Sequence, residues 1–191
     1  VLTLLPYKTR YEIYDHWRGQ KGTEKQALSA KALSGMGFPR NTDDKDLLQV
    51  EAECYAGLQS KWILKRMSKD NYMEKGRSLA KIAHSNPVIV FKTILSQIES
   101  YDNLIVMMVD SFKFLSPIGL DVMSHCLLCA CGGGRAGTTR NMVKNDGLNA
   151  AQWLASLELF IGTFYRKFPS VELRGILSYI IVRLRDEEEV L

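Results

Sequence analysis

The amino-acid sequence predicts an all-α fold of stacked antiparallel helical hairpins, of the HEAT/armadillo kind. Three observations carry it. Apolar residues recur at three- and four-residue steps along most of the chain. No segment alternates apolar and polar residues at the two-residue period of a half-buried strand. Apart from two loops, the helical segments are joined by turns so short that neighbours in sequence must pack side by side.

Residues 1–5 read as the last turns of a helix, and residues 1–18 as the end of a preceding helical segment that packs on the main domain. Pro6 opens a helix in which Tyr7, Tyr11, Tyr14 and Trp17 line one stripe, and Gly19 stops it. Aromatic residues at this spacing form packing stripes far more often than platforms for bases or peptides. Residues 19–42 hold Gly19, Gly22, Gly35, Gly37 and Pro39 among polar residues. They read as a flexible loop or insertion, with a short helix near 27–33.

The helical-hairpin domain then spans residues 43–191. Asp43 and Asp44 open a long helix running to about Ser68, with Leu48, Tyr55, Leu58 and Trp62 as its apolar stripe. Its acidic residues crowd the start and Lys61, Lys65, Arg66 and Lys69 the end, which complements the helix dipole. A helix from about Lys75 to Ala83 follows. Next comes the stretch that organises the chain, residues 85–115. Asn86 suits an N-cap and Pro87 the first helical position. Phe91, Ile94, Leu95, Ile98 and Tyr101 share one face. Asp102 is placed to cap the next helix, which carries Leu104, Ile105, Met108, Val109, Phe112 and Leu115.

Ser116 and Pro117 repeat the cap-plus-proline device. They open a helix to about Cys131 with Ile118, Val122, Met123, Cys126, Leu127 and Ala130 inward. Residues 132–148 form a second flexible loop, basic and glycine-rich. Asn149 with Gln152 makes a capping box for a helix lined by Trp153, Leu154, Leu157, Phe160, Ile161, Phe164 and Phe168. Pro169 closes it. Ser170 caps the last helix, whose stripe is Leu173, Ile176, Leu177, Ile180, Ile181 and Leu184. The chain begins in an apolar stretch and stops just after the acidic run 186–189, so both ends read as continuing into a longer protein.

Composition is that of an ordinary globular chain: 46% hydrophobic, 24% charged, net charge +4 over 191 residues. No run of about 18 apolar residues would span a membrane. Three of the four cysteines, Cys126, Cys129 and Cys131, crowd one apolar helix, a poor layout for disulfides that favours a reducing compartment.

Few chemical motifs survive inspection. Gly132, Gly134 and Gly137 have dinucleotide-fingerprint spacing but follow a helix, not a strand, and Thr138 stands where a P-loop needs lysine. His125 with Cys126, Cys129 and Cys131 offers zinc-type ligands, yet no second ligand pair follows, so the cysteines read as small buried hydrophobes. His16 and His84 stand alone. The expectation is therefore no catalytic residue, no cofactor, no metal, no small-molecule substrate and no enzyme. The one charged feature is residues 61–81, with seven lysines and arginines against two acids. A solvated helix face accounts for it. The alternative is a surface for RNA phosphates or an acidic partner, using Lys61, Lys65, Arg66, Lys69, Lys75 and Arg77, with Arg135 and Arg140 from the glycine loop.

Several strings carry a family resemblance. They are His84-Ser85-Asn86-Pro87, Ile94-Leu95-Ser96-Gln97-Ile98 and Tyr101-Asp102-Asn103-Leu104-Ile105. Leu2-Thr3-Leu4-Leu5-Pro6-Tyr7, Trp153-Leu154-Ala155-Ser156-Leu157 and Phe164-Tyr165-Arg166-Lys167-Phe168-Pro169 flank them. The chain resembles the central region of the large scaffold subunit of the THO complex, THO subunit 2. The resemblance implies a nuclear, non-enzymatic scaffold module of the TREX assembly, acting in mRNA processing and export. Other THO subunits and a DEAD-box RNA helicase would dock on it. It also implies a fold like the middle domain of translation initiation factor 4G. Ser85, Asn86, Pro87, Tyr101, Asp102 and Asn103 are signature positions with mainly structural roles. The alternative reading is an RNA-binding module using the basic helical face.

Overall fold

The computed structural model describes residues 2–17, 44–132 and 152–185, with most of their side chains. Among them every regular element is helical. After a 3-10 turn at Leu2–Leu4 come α1 (Tyr7–Trp17), α2 (Asp44–Lys65), α3 (Tyr72–Ser85), α4 (Pro87–Ile98) and α5 (Ile105–Ser111). Then follow α6 (Pro117–Cys131), α7 (Gln152–Lys167) and α8 (Arg174–Arg185). Short 3-10 turns at Asp102–Leu104 and Phe112–Phe114 flank α5. The predicted loops 19–42 and 132–148 lie almost wholly outside the described residues, as do Asn149, the acidic run 186–189 and the side chains of Leu48, His16 and Trp17.

From α2 onward each described helix touches the next but one: α2 with α4, α3 with α5, α4 with α6, α5 with α7, and α6 with α8. The even-numbered and odd-numbered helices thus form two layers. α1 lies against α6 and α8. α4 is the centre, meeting α2, α3, α6 and α7. The reason is its composition. Val88, Val90, Phe91, Ile94, Leu95 and Ile98 are all buried, so apolar residues point in several directions and one covering helix cannot suffice. Phe112 joins the layers, with its ring edge-on to Phe91, Phe160 and Phe164 at 6.0–6.3 Å between centroids.

The helix starts behave partly as predicted. Ser116 Oγ accepts from Gly119 N at 3.2 Å and Pro117 begins α6. Asn86 holds the N-cap position of α4, with no side-chain capping bond; its backbone N–H instead closes α3 on Ile82 O. Asp102 does not cap its own helix. Its carboxylate reaches α7, accepting from Gln152 Nε2 at 2.9 Å and from Ser156 Oγ. Ser170 is not a helix cap, because α8 begins only at Arg174. Residues 2–4 form a 3-10 turn and not the end of an α-helix.

Three predicted faces are corrected. On α2, Tyr55, Leu58 and Trp62 point outward at 52–61% exposure, while Ala56, Ser60, Ile63 and Leu64 are buried. Small Ala56 and Ser60 let α2 approach α4 closely, where the aromatic stripe would hold it away. On α8, Ile176 is buried but Leu177, Ile181 and Leu184 are exposed, because the six-position stripe is wider than the side that α6 and α1 cover. On α6, Ile118 is exposed, and Ser124 and His125 take buried positions. Tyr101 is likewise exposed beyond the end of α4. Finally, α2 stops at Lys65, so Lys69 does not share a helix face with Lys61 and Lys65. Asn71 fixes that turn, its amide donating to Arg66 O and accepting from Ser68 N.

Gly76 marks a close approach of α3 and α5, neighbours in the odd-numbered layer. A Cβ there would stand 2.3 Å from Ser111 Cβ. Gly76→Ala is therefore expected to lower unfolding stability by about 1–3 kcal/mol. Gly162→Ala, which meets nothing within 4 Å, should raise it by about 1 kcal/mol. Chemical denaturation of the two variants checks both signs. Burial also raises the Tyr165 hydroxyl above its ordinary pKa. The folded state disfavours the phenolate, so this contribution is complete below about pH 10 and is lost as pH climbs beyond it. Tyr165→Phe should flatten the alkaline fall in unfolding stability, measured by denaturation across pH 9–11.

Candidate partner-binding surface

The outer face of α2 is built by a helix that buries Ala56, Ser60, Ile63 and Leu64 and turns Tyr55, Leu58 and Trp62 out. Tyr55, Leu58 and Trp62 follow at three- and four-residue steps, so they make one ridge. Arg66 lies over the Trp62 ring, its guanidinium carbon 3.9 Å from the centroid. That contact covers part of the indole with a cation that stays in water. Lys61, Lys65 and Lys69 are exposed around the same helix end. The ridge is apolar in the middle and basic at its C-terminal rim. Leu177, Ile181 and Leu184 form a second exposed apolar ridge on α8, beside Arg183, which lies over Tyr179 at 5.3 Å.

The six predicted basic residues divide between two helices and the turn joining them. Lys61 and Lys65 occupy the end of α2, and Arg66 and Lys69 the turn that follows. Lys75 and Arg77 stand on α3. Lys75 is half-buried, its Nζ 3.8 Å from Glu74, and Arg77 lies 4.9 Å over the Phe114 ring beside Lys113. Arg135 and Arg140 fall outside the described residues. The signature residues serve joints: Ser85, Asn86 and Pro87 the α3–α4 corner, Tyr101, Asp102 and Asn103 the α4–α5 corner and its bond to α7. Hydrophobic periodicity marks Tyr55, Leu58 and Trp62 as one stripe, but periodicity does not state which stripe of α2 meets the core.

A buried polar seam holds α1 in place. Arg10 Nε lies 3.0 Å from Asp121 Oδ2, and Arg10 Nη2 donates to Glu172 at 2.5 Å. Burial opposes the Arg10 charge, but the two carboxylates outweigh it and hold the pKa above its ordinary value. Tyr14 donates to Asp121 at 2.7 Å and Tyr11 to Ser124 at 3.1 Å, and burial raises both phenols. Beside them His125 Nε2 is 3.2 Å from Asp15 Oδ1 and 3.6 Å from Cys129 Sγ. Cys131 is buried and its thiol is pushed up to about 12 by that burial. The space where α3, α4 and α5 meet is an apolar void of about 10 Å³, room for about one water and for no substrate. The glycine fingerprint at 132–137 lies outside the described residues but for Gly132. Among the described residues no helix is long and apolar enough to cross a membrane.

These features define a class: an all-α protein of layered helices that offers large exposed ridges. The family model described as "Transcription- and export-related complex subunit" matches residues 79–158. THO complex subunit 2 of Arabidopsis thaliana is 35% identical over 185 residues, 97% of this chain and 9% of the relative. The Homo sapiens protein of that name is 33% identical over 180 residues, 94% of this chain and 10% of the relative. The Saccharomyces cerevisiae one is 30% identical over 128 residues, 67% of this chain and 8% of the relative. The chain belongs to the THO complex subunit 2 family. It spans about a tenth of the length of these curated relatives.

Because these ridge side chains are more than half exposed, Trp62→Ala and Leu58→Ser are each expected to change unfolding stability by less than about 1 kcal/mol. Leu64→Ala, buried on the opposite side of α2 two residues after Trp62, should cost about 2–5 kcal/mol. Thermal or urea unfolding of the three variants separates the outward face from the inward one.

Proposed function

We propose that this chain is a non-enzymatic scaffold module of a nuclear THO/TREX-type assembly in mRNA processing and export. On this reading it docks a DEAD-box RNA helicase and other THO subunits. The observation that carries the proposal is the Tyr55–Leu58–Trp62 ridge, exposed on a helix whose other side is locked to α4. Family membership supports it, since the relatives are named as subunits of the THO complex. The next-but-one contact pattern supports reading the chain as stacked helical hairpins of the HEAT/armadillo kind, resembling the middle domain of initiation factor 4G.

The mechanism is preorganisation. A rigid two-layer stack presents apolar and basic groups at fixed spacing. Binding both lobes of an ATPase in one arrangement shifts its open–closed balance, by no more than the difference in affinity for the two arrangements. Exposed aromatic residues at the centre of a patch with cations at its rim are the usual anatomy of a hot spot.

The exposed cations Lys61, Lys65, Arg66 and Lys69 favour a second reading, direct RNA binding. Calorimetry of the chain with the helicase, and separately with a short single-stranded RNA, at low and moderate salt decides between them. The docking reading expects helicase binding that survives moderate salt and falls at least about ten-fold with Trp62→Ala. RNA binding that weakens steeply with salt and is lost on Lys61→Glu with Lys65→Glu, without helicase affinity, would replace docking by RNA contact.

A further inference from the structure

Away from both ridges, at the seam of α1 and α6, three different metal-ligating side chains converge. His125 and Cys129 are one helical turn apart on α6 and so share a face. Asp15 comes from α1. The three donor atoms, Asp15 carboxylate oxygen, His125 Nε2 and Cys129 Sγ, all lie within 4.8 Å of one another. We propose that Asp15, His125 and Cys129 form a zinc(II) site that clamps α1 to α6, with a fourth coordination position open to solvent.

The geometry points to an ion rather than to a catalytic relay. A thiol–imidazole–carboxylate relay puts thiol and carboxylate on opposite ring nitrogens. In this seam Asp15 and Cys129 both approach Nε2, so the three donors face a common point. The distances agree with that. A tetrahedron drawn from Zn–N and Zn–O bonds of about 2.0 Å and a Zn–S bond of about 2.3 Å has edges of about 3.3 Å (N···O) and about 3.5 Å (N···S). The corresponding separations are 3.2 Å and 3.6 Å.

The donor chemistry selects the ion. One imidazole, one thiolate and one carboxylate suit a borderline-soft cation such as zinc, whereas magnesium and calcium prefer oxygen alone. The site is also preorganised. The His125 side chain is 3% exposed and its ring is met edge-on by Tyr11 and Tyr14, with centroids at 5.1 and 5.8 Å. Asp15 is placed by a helix already fixed through Arg10 to Asp121 and Glu172 and through Tyr14 to Asp121. Its side chain is 57% exposed, which leaves the solvent side of the site for a water ligand. Bound zinc would tie α1 to the stack across more than a hundred residues of sequence and make its docking dependent on metal supply. This inference uses neither ridge and is independent of the helicase-docking reading.

The test uses the reduced, metal-free chain titrated with zinc(II) against a chromophoric chelator, followed by thermal unfolding with and without zinc. Cobalt(II) serves as a spectroscopic substitute. The expected result is about one zinc per chain, a raised unfolding temperature, and a sulfur-to-cobalt charge-transfer band. Because His125 is buried, the discriminating variants are Asp15→Ala and Cys129→Ser, neither at a fully buried position. Each should weaken zinc binding by about ten-fold or more, and Cys129→Ser should abolish the band. Cys54→Ser should change nothing. A chain indifferent to zinc overturns the proposal. So does zinc binding that Cys129→Ser leaves intact or that Cys54→Ser removes.

Discussion

The burial of α4 is the constraint on which the rest of this structure depends. A helix of twelve residues that turns valine, phenylalanine, isoleucine and leucine toward more than one side cannot be covered by a single neighbour. Each such side chain contributes about 1.5–3 kcal/mol when removed from water. Four helices, α2, α3, α6 and α7, satisfy that demand together. Once they do, the layers follow, since the consecutive helices α2 to α6, joined by short turns, alternate between the layer that holds α4 and the layer beside it. The close approach at Gly76 and the Phe112 junction are consequences of bringing α5 and α7 up to the same core.

α1 is held differently. Its attachment to α6 and to the link before α8 runs through Arg10, Asp121, Glu172, Tyr11 and Tyr14. A buried guanidinium is tolerable only when carboxylates meet it, and here two do. Such a seam is directional, so it fixes the rotation of α1 as well as its position. That is why Asp15, one residue past Tyr14, arrives beside His125. Apolar packing alone would let a short aromatic helix slide or roll.

The surface carries the rest of the biology. Large apolar side chains at Tyr55, Leu58, Trp62, Leu177, Ile181 and Leu184 are exposed in rows and not scattered. On the proposed docking reading, these rows are where the module meets another macromolecule. A rigid stack gains from placing them on helices, because a helix fixes the spacing of its side chains before the partner arrives. Cations at the rim of the α2 ridge add steering at little desolvation cost, since they remain in water.

Much of this was legible in the residues. Helical periodicity, the Pro87 and Pro117 starts and the Ser116 cap are local features, and local features are written in consecutive residues. The strings around Asn86-Pro87 and Tyr101-Asp102 carried the family resemblance for the same reason. Choices between equivalents were not legible. α2 has two candidate stripes of similar character, and only the neighbouring α4 selects the one with small residues. Asp102 could cap its own helix or reach another, and the nearness of Gln152 and Ser156 decided it. His125 and the cysteines of α6 were set aside because no second ligand pair follows them, and the carboxylate that the fold brings beside His125 and Cys129, Asp15, lies more than a hundred residues away in sequence. The sequence by itself determined which segments are helical, the Pro87 and Pro117 starts and the family. Tertiary structure alone decided which faces stay in water and which distant side chains meet, because both depend on what packs across the layers.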